Sequence, residues 1–186
     1  LLRAAERERS PLAVEDVPIE TGEAVKALAA GADVVIGRFL ELPSRYSCAV
    51  LRTEPVFAAV AAGNELAGRA EVSLAELADI PLLLWPREQH PRYYDRLMEI
   101  CADGGLDPLV LVSNARVIGS RSYLIRENRA FALLPRASAA QTPAGVAAVA
   151  VSGAPTLPLA IGWLTDDPRE EVHRFVALTR RVAAAS

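Results

Sequence analysis

A chain of 186 residues, 52% hydrophobic and 23% charged, is long enough for one domain or two small lobes and too apolar to be disordered. Its net charge of -3 argues against this chain alone gripping DNA, which needs clustered Lys and Arg. No apolar run approaches the roughly 18 residues of a membrane helix, and no cationic start with an apolar core marks a secretory signal.

The chain opens without Met, as a fragment does, and Leu1 to Glu8 reads as the back half of a helix that Ser10 and Pro11 end. Leu12 to Val17 reads as a strand, with Leu12 and Val14 alternating. Thr21 suits an N-cap, Glu23 suits the first turn, and Val25, Leu28 and Ala29 give the stripe of a helix that Gly31 stops. The β-branched run from Ala32 to Gly37 reads as a buried strand. Residues 40 to 46 read as loop, and Ser47 to Arg52 and Pro55 to Val60 as two strands. Ser73-Leu74-Ala75-Glu76 is a capping box, in which a hydroxyl and a carboxylate satisfy the open amides of a helix start. Pro81 ends that helix, and Leu82 to Trp85 is an apolar strand.

Tyr93, Leu97, Ile100 and Cys101 form the apolar face of the next helix, stopped at Gly104-Gly105. Strands are predicted at Leu109 to Val112, Ala130 to Leu134, Val146 to Val151 and Leu157 to Leu164, with a helix over Val117 to Arg126 and one helical turn over Arg136 to Ala140. Asp167 is the predicted cap of the last helix, with Pro168 at its first position and Val172, Phe175, Val176 and Thr179 on its packed side. Short apolar strands alternating with helices of about three turns predict an α/β fold with parallel pairing.

Catalytic signatures are missing. The two histidines, His90 and His173, have no ligand partners at helical spacing. No nucleophile elbow, phosphate loop or dinucleotide fingerprint occurs, and the pairs Asp166-Asp167 and Glu170-Glu171 are explained by a helix start. Cys48 and Cys101 fit no metal spacing and read as two apolar thiols of a reducing compartment, a redox pair being the alternative. No cofactor, metal or enzyme activity is therefore expected. Ligands of open α/β sheets sit outside the carboxyl ends of strands, where helix N-termini offer amides. By that rule Thr21, Arg38, Trp85, Arg87, Ser113 and Asn114 are the candidate ligand contacts. The arginines suit a carboxylate, and a bland role stands beside each: Trp85 in the core, Arg87 and Arg38 paired with Glu88 or Asp33.

Four segments, Gly31 to Gly37, Ser73 to Pro81, Cys101 to Pro108 and Ala130 to Arg136, resemble in order and spacing the effector-binding domain of LysR-type transcriptional regulators. The resemblance implies two Rossmann-like lobes of the type 2 periplasmic-binding-protein kind, joined by two crossover strands. Lobe I is then residues 1–80 plus 155–186, and lobe II residues 81–154, with Pro81 near the first crossing. It further implies a polar or anionic small-molecule effector in the cleft between the lobes and a homodimer, with the Leu1 helix of one copy against a lobe II helix of the other. DNA is reached only through an N-terminal domain absent from this chain, in the cytoplasm and without membrane contact. A free-standing solute-binding protein of a transporter is the alternative, and an enzyme on the same fold a third. The chain departs from the family in three places. The first strand of lobe I belongs before Leu1; Arg126 to Ala130 replaces a glycine-rich bend, with Asn128 suited to the left-handed position; and Asn64 to Ala67 replaces a His-Pro-Leu-Ala segment.

Overall fold

The computed structural model describes residues 1–6, 12–20, 22–113 and 121–185, the Leu2 side chain excepted. The Ser10-Pro11 stop, Thr21, Asn114 and the first turn of the helix predicted at Val117 lie outside them. The chain divides into two compact units: unit 1 is residues 1–53 and 158–186, and unit 2 is residues 54–157. Residues 54–80 thus group with unit 2.

In unit 1, β1 (Val34–Gly37) pairs antiparallel with β8 (Thr156–Leu164), Val35 opposite Gly162. β8 lies beside β2 (Tyr46–Ala61), and β1 is the last strand of the sheet on its side. Helix α2 (Ala24–Ala29) precedes β1; its N-cap residue is Glu23, and Gly31 follows with φ of 107°. Only glycine adopts that conformation without cost, so Gly31 ends the helix as predicted. Helix α1 (Leu2–Glu6) packs on α6 (Glu170–Ala184), where Ala5, Phe175 and Leu178 form a small core with Leu12, Val14 and Val34 around it. The predicted packed side of α6 is right: Val172, Phe175, Val176 and Thr179 are all buried.

Two expectations for unit 1 are corrected. Leu12 to Val17 is not a strand. Leu12 and Val14 do turn inward, but a strand is defined by its partner, and among the described residues this stretch makes no backbone hydrogen bond. Asp167 is not the N-cap of α6, which is Arg169. Instead the Asp167 carboxylate, 2% exposed, accepts the Arg169 backbone N–H at 3.0 Å and its guanidinium at 2.9 and 2.6 Å. The same guanidinium reaches Asp33 at 2.5 Å, fastening the entry of β1 to the entry of α6.

In unit 2 the two strands predicted at 47–52 and 55–60 prove to be one. β2 runs unbroken for 16 residues and passes from unit 1 into unit 2 at Thr53-Glu54. Pro55 reads as a break in sequence because it lacks an N–H. Here the next residue, Val56, donates to the Pro155 carbonyl at 3.0 Å, and the strand continues. Beyond that point β2 pairs antiparallel with β6 (Ala132–Pro135) and with β7 (Val146–Val151), and β3 (Glu71–Val72) joins β7 in parallel.

A second, parallel pair is β4 (Leu82–Leu84) with β5 (Val110–Val112). All three β4 residues are buried, which explains their unbroken apolarity. Helix α3 (Pro91–Asp103) buries Tyr93, Leu97, Ile100 and Cys101, the face that the spacing predicts. Helix α4 is described over Ser122–Arg126 and α5 over Arg136–Ala139. The capping box forms on a 3₁₀ turn, Leu74–Leu77, where Glu76 accepts the Ser73 backbone N–H at 3.0 Å. Asn128 takes φ of 55°, the left-handed role expected of it.

Candidate functional site

The carboxyl ends of β4 and β5 lie side by side in unit 2. Leu84 is the register partner of Val112, so the residues that follow, Trp85 and Ser113, leave the sheet together. The Ser113 N–H donates to the Leu84 carbonyl at 2.8 Å, and Ser113 is buried. A buried serine at this position presents a hydroxyl that both donates and accepts.

Trp85 is half-buried, and its ring lies 4.9 Å from that of Tyr93 on α3, tilted by 52°. Such an offset pair holds the indole in one orientation. Its Nε1 is closed off from solvent and, among the described residues, has no hydrogen-bond partner. A buried donor left unmade costs about 1–3 kcal/mol, so this N–H is a place where an acceptor would be favoured. His90, buried, meets Tyr93 edge-on at 5.9 Å and stands at the N-cap of α3. The sequence places His90 in the loop after β4, and reads Tyr93 only as part of the packed face of α3. Their signal was the spacing from Trp85 across the start of a helix.

Arg87 sits on the 3₁₀ turn Arg87–Gln89 between β4 and α3. Its guanidinium clasps Asp95 with two parallel bonds, Nε to Oδ1 at 2.7 Å and Nη2 to Oδ2 at 2.6 Å. The pair holds the Asp95 carboxyl below its usual range. The partner is neither Glu88 nor Asp33: one helical turn into α3, Asp95 presents its carboxylate to the preceding turn, a proximity that only the tertiary path creates. Asp33 is taken by Arg169.

Arg38 belongs to unit 1, directly after β1. It is half-buried, and its Nη1 donates to the Pro158 carbonyl at 3.2 Å. Phe39 beside it has φ of 48°, in the left-handed region that costs a bulky residue energy. Leu40 and Leu42 then fold over the glycine-lined face of β1 and β8. Of the six predicted contacts, then, Trp85 and Ser113 come together. Arg87 lies on the same turn but is engaged by Asp95, Arg38 is held in the other unit, and Thr21 and Asn114 fall outside the described residues. No group of three His, Cys, Asp or Glu side chains converges on a metal site among the described residues.

The family described as "LysR substrate binding domain" matches residues 1–184. Solved structures agree in fold. The Corynebacterium glutamicum OxyR C206 mutant superimposes with a TM-score of 0.76 at 20% identity, over 99% of this chain and 58% of that one. The LysR family transcriptional regulator CbnR gives 0.74 at 22% identity, over 89% and 57%. The BenM effector-binding domain, solved with its effector benzoate, gives 0.70 at 20% identity, over 90% and 77%. The chain thus spans little more than half the length of the first two. No curated protein matches. These likenesses establish the α/β architecture of the type 2 periplasmic-binding-protein kind.

Proposed function

Because the chain belongs to the LysR substrate-binding-domain family, we propose that it is the effector-sensing domain of a LysR-type transcription regulator and works by binding rather than catalysis. The observation that supports a site is that Ser113 and Trp85, whose indole N–H has no partner among the described residues, follow the register partners Val112 and Leu84 at the carboxyl ends of β5 and β4. One brings a hydroxyl and the other a donor that, among the described residues, has no acceptor; the two do not make an acid–base pair. A small molecule bearing a carboxylate or another oxygen acceptor matches that chemistry. BenM is recorded with benzoate as its effector, so small aromatic carboxylates are the first probes. Arg38 is retained as a proposed cationic contact, and Thr21 and Asn114 as polar ones. The family match favours this reading over a transporter's solute-binding protein.

In the intact regulator, DNA contact is assigned to polypeptide outside this chain, in keeping with the net charge of -3 and with the full-length CbnR structure solved with target DNA. Homodimerisation in the cytoplasm completes the proposal. In its support, β5 carries exposed Leu111 and Val112, with exposed Leu109 just ahead of it, apolar residues that a second copy would cover.

The test is a thermal-shift screen of small carboxylates read together with tryptophan fluorescence. A true effector at about 100 times its dissociation constant stabilises by about 2.7 kcal/mol. Trp85→Phe is expected to weaken that ligand at least tenfold. Undiminished affinity in Trp85→Phe and in Ser113→Ala would remove the assigned site.

A further inference from the structure

Trp85 as a whole is only half-buried, yet its Nε1 is closed off from solvent and has no partner among the described residues. A half-buried indole that is free to turn brings its N–H to water and recovers the hydrogen bond. The surroundings of Trp85 therefore hold it from turning.

The backbone supplies part of the restraint. On one side of Trp85 the Ser113 N–H donates to the Leu84 carbonyl at 2.8 Å. On the other, Pro86 has φ of -55°, and its carbonyl accepts the Gln89 N–H at 3.0 Å. The main chain is fixed on both sides, and the freedom left to the indole is rotation about its own side-chain torsions. The Tyr93 ring, 4.9 Å away and tilted by 52°, stands against that rotation. Tyr93 is itself confined: it is buried in the first turn of α3, which begins at Pro91, and His90 meets its ring edge-on at 5.9 Å.

We propose that Tyr93 is a positioning residue for the effector: it keeps the Trp85 N–H dry and in one orientation, so that the site selects ligands that bring an oxygen acceptor to that atom. This rests on the effector-sensing reading and deepens it by naming what sets the selectivity. The donor is already closed off from solvent, so an acceptor gains a hydrogen bond without stripping water from the N–H. A ligand of the same shape without an acceptor gains nothing there. His90 supports Tyr93 from behind. The Arg87–Asp95 clasp ties the same turn to α3 independently of the rings, so removing the Tyr93 ring releases the indole while the turn keeps its place.

The test compares the parent, Tyr93→Phe and Tyr93→Leu, each isotope-labelled at the indole nitrogen, with the Trp85 signal assigned by its loss in Trp85→Phe. In the parent and in Tyr93→Phe the Trp85 indole N–H is expected to exchange with solvent about tenfold slower than free tryptophan, or slower still. In Tyr93→Leu it is expected to approach the free rate. The ligand arm uses acetophenone and α-methylstyrene, which share a shape and differ in one acceptor oxygen, with benzoate as a charged acceptor. The parent and Tyr93→Phe are expected to bind acetophenone about tenfold more tightly than α-methylstyrene and to show a shift of the indole N–H signal, whereas Tyr93→Leu binds the two alike. Free exchange in the parent overturns the proposal. So does slow exchange or a retained tenfold preference in Tyr93→Leu, and so does an indole N–H signal that neither acetophenone nor benzoate moves. If Tyr93→Leu does not fold, Tyr93→Met takes its place, and the exchange rate in the parent decides on its own. A preference lost in Trp85→Phe but kept in Tyr93→Leu refutes the role of Tyr93 and leaves the effector reading standing; a preference unchanged in Trp85→Phe removes the assigned site itself.

Discussion

Gly162→Ala tests how the loop carrying Arg38 is held on unit 1. A Cβ built on Gly162 overlaps the Leu42 Cδ1 methyl outright and lies 3.3 Å from Val35 Cγ2 and 3.5 Å from Leu40 Cδ1. Two residues beyond its register partner Val35, a Cβ on Gly37 would come within 2.9 Å of Leu40 Cδ2. The two glycines thus form a flat floor on which Leu40 and Leu42 rest, and that contact anchors the chain directly after Arg38. Overpacking costs about 1–3 kcal/mol. Leu42 is only half-buried and can swing outward, so the lower half of that range is expected. The assay is urea unfolding followed by Trp163 fluorescence in a Trp85→Phe background, so that the signal comes from unit 1 alone. The Leu42→Ala background closes a double-mutant cycle, in which the cost of Gly162→Ala should fall by about 1 kcal/mol. An identical cost in both backgrounds would show that the Leu42 contact is not what excludes a side chain at 162, and the account of the Arg38 loop would fail with it.

Two further outcomes follow from titratable groups. The Asp167 carboxyl is lowered from about 3.8 to about 2, chiefly by its side-chain hydrogen bonds with Arg169 and then by the Arg169 backbone N–H. Its folded value lies below its unfolded one, so its contribution is complete above about pH 4 and is lost as pH falls toward 2. Urea midpoints of the parent should drop across that window, and Asp167→Asn should flatten the drop while lowering the neutral-pH midpoint; an unchanged acid slope would refute the assignment. Burial raises the Cys101 thiol to about 11, whereas Cys48 is raised less and is exposed on β2. A disulfide-exchange reagent at pH 8 should therefore titrate one thiol in the folded protein and the second only on unfolding. Rapid labelling of both would contradict the packing of α3.

Much of the fold was legible because the signals are local. The faces of α3 and α6, the stop at Gly31, the capping box at Ser73 and the left-handed Asn128 each depend on residues within a few positions of one another. What misled was whatever required a partner. Leu12 to Val14 alternates as a strand does, yet only a neighbouring strand could have made it one. Pro55 reads as a break, yet the Pro155 carbonyl, a hundred residues away, receives the Val56 N–H and keeps β2 whole. Asp167 carries the chemistry of a cap, yet a guanidinium two residues on claims it.

The site divides in the same way. Trp85 and Ser113 were legible because each follows a recognisable apolar strand, and the rule that ligands gather at strand ends needs only the order of elements. That Arg87 is committed to Asp95, and that among the described residues the Trp85 N–H is closed off without an acceptor, were not. By itself the sequence determined the buried faces of the long helices, their stops and most of the short strands, since periodicity and turn chemistry act over a few residues, and four segments in order carried the family resemblance. Tertiary structure alone decided which polar groups are left with work to do, because whether a donor is spent depends on what long-range packing brings within 3 Å of it.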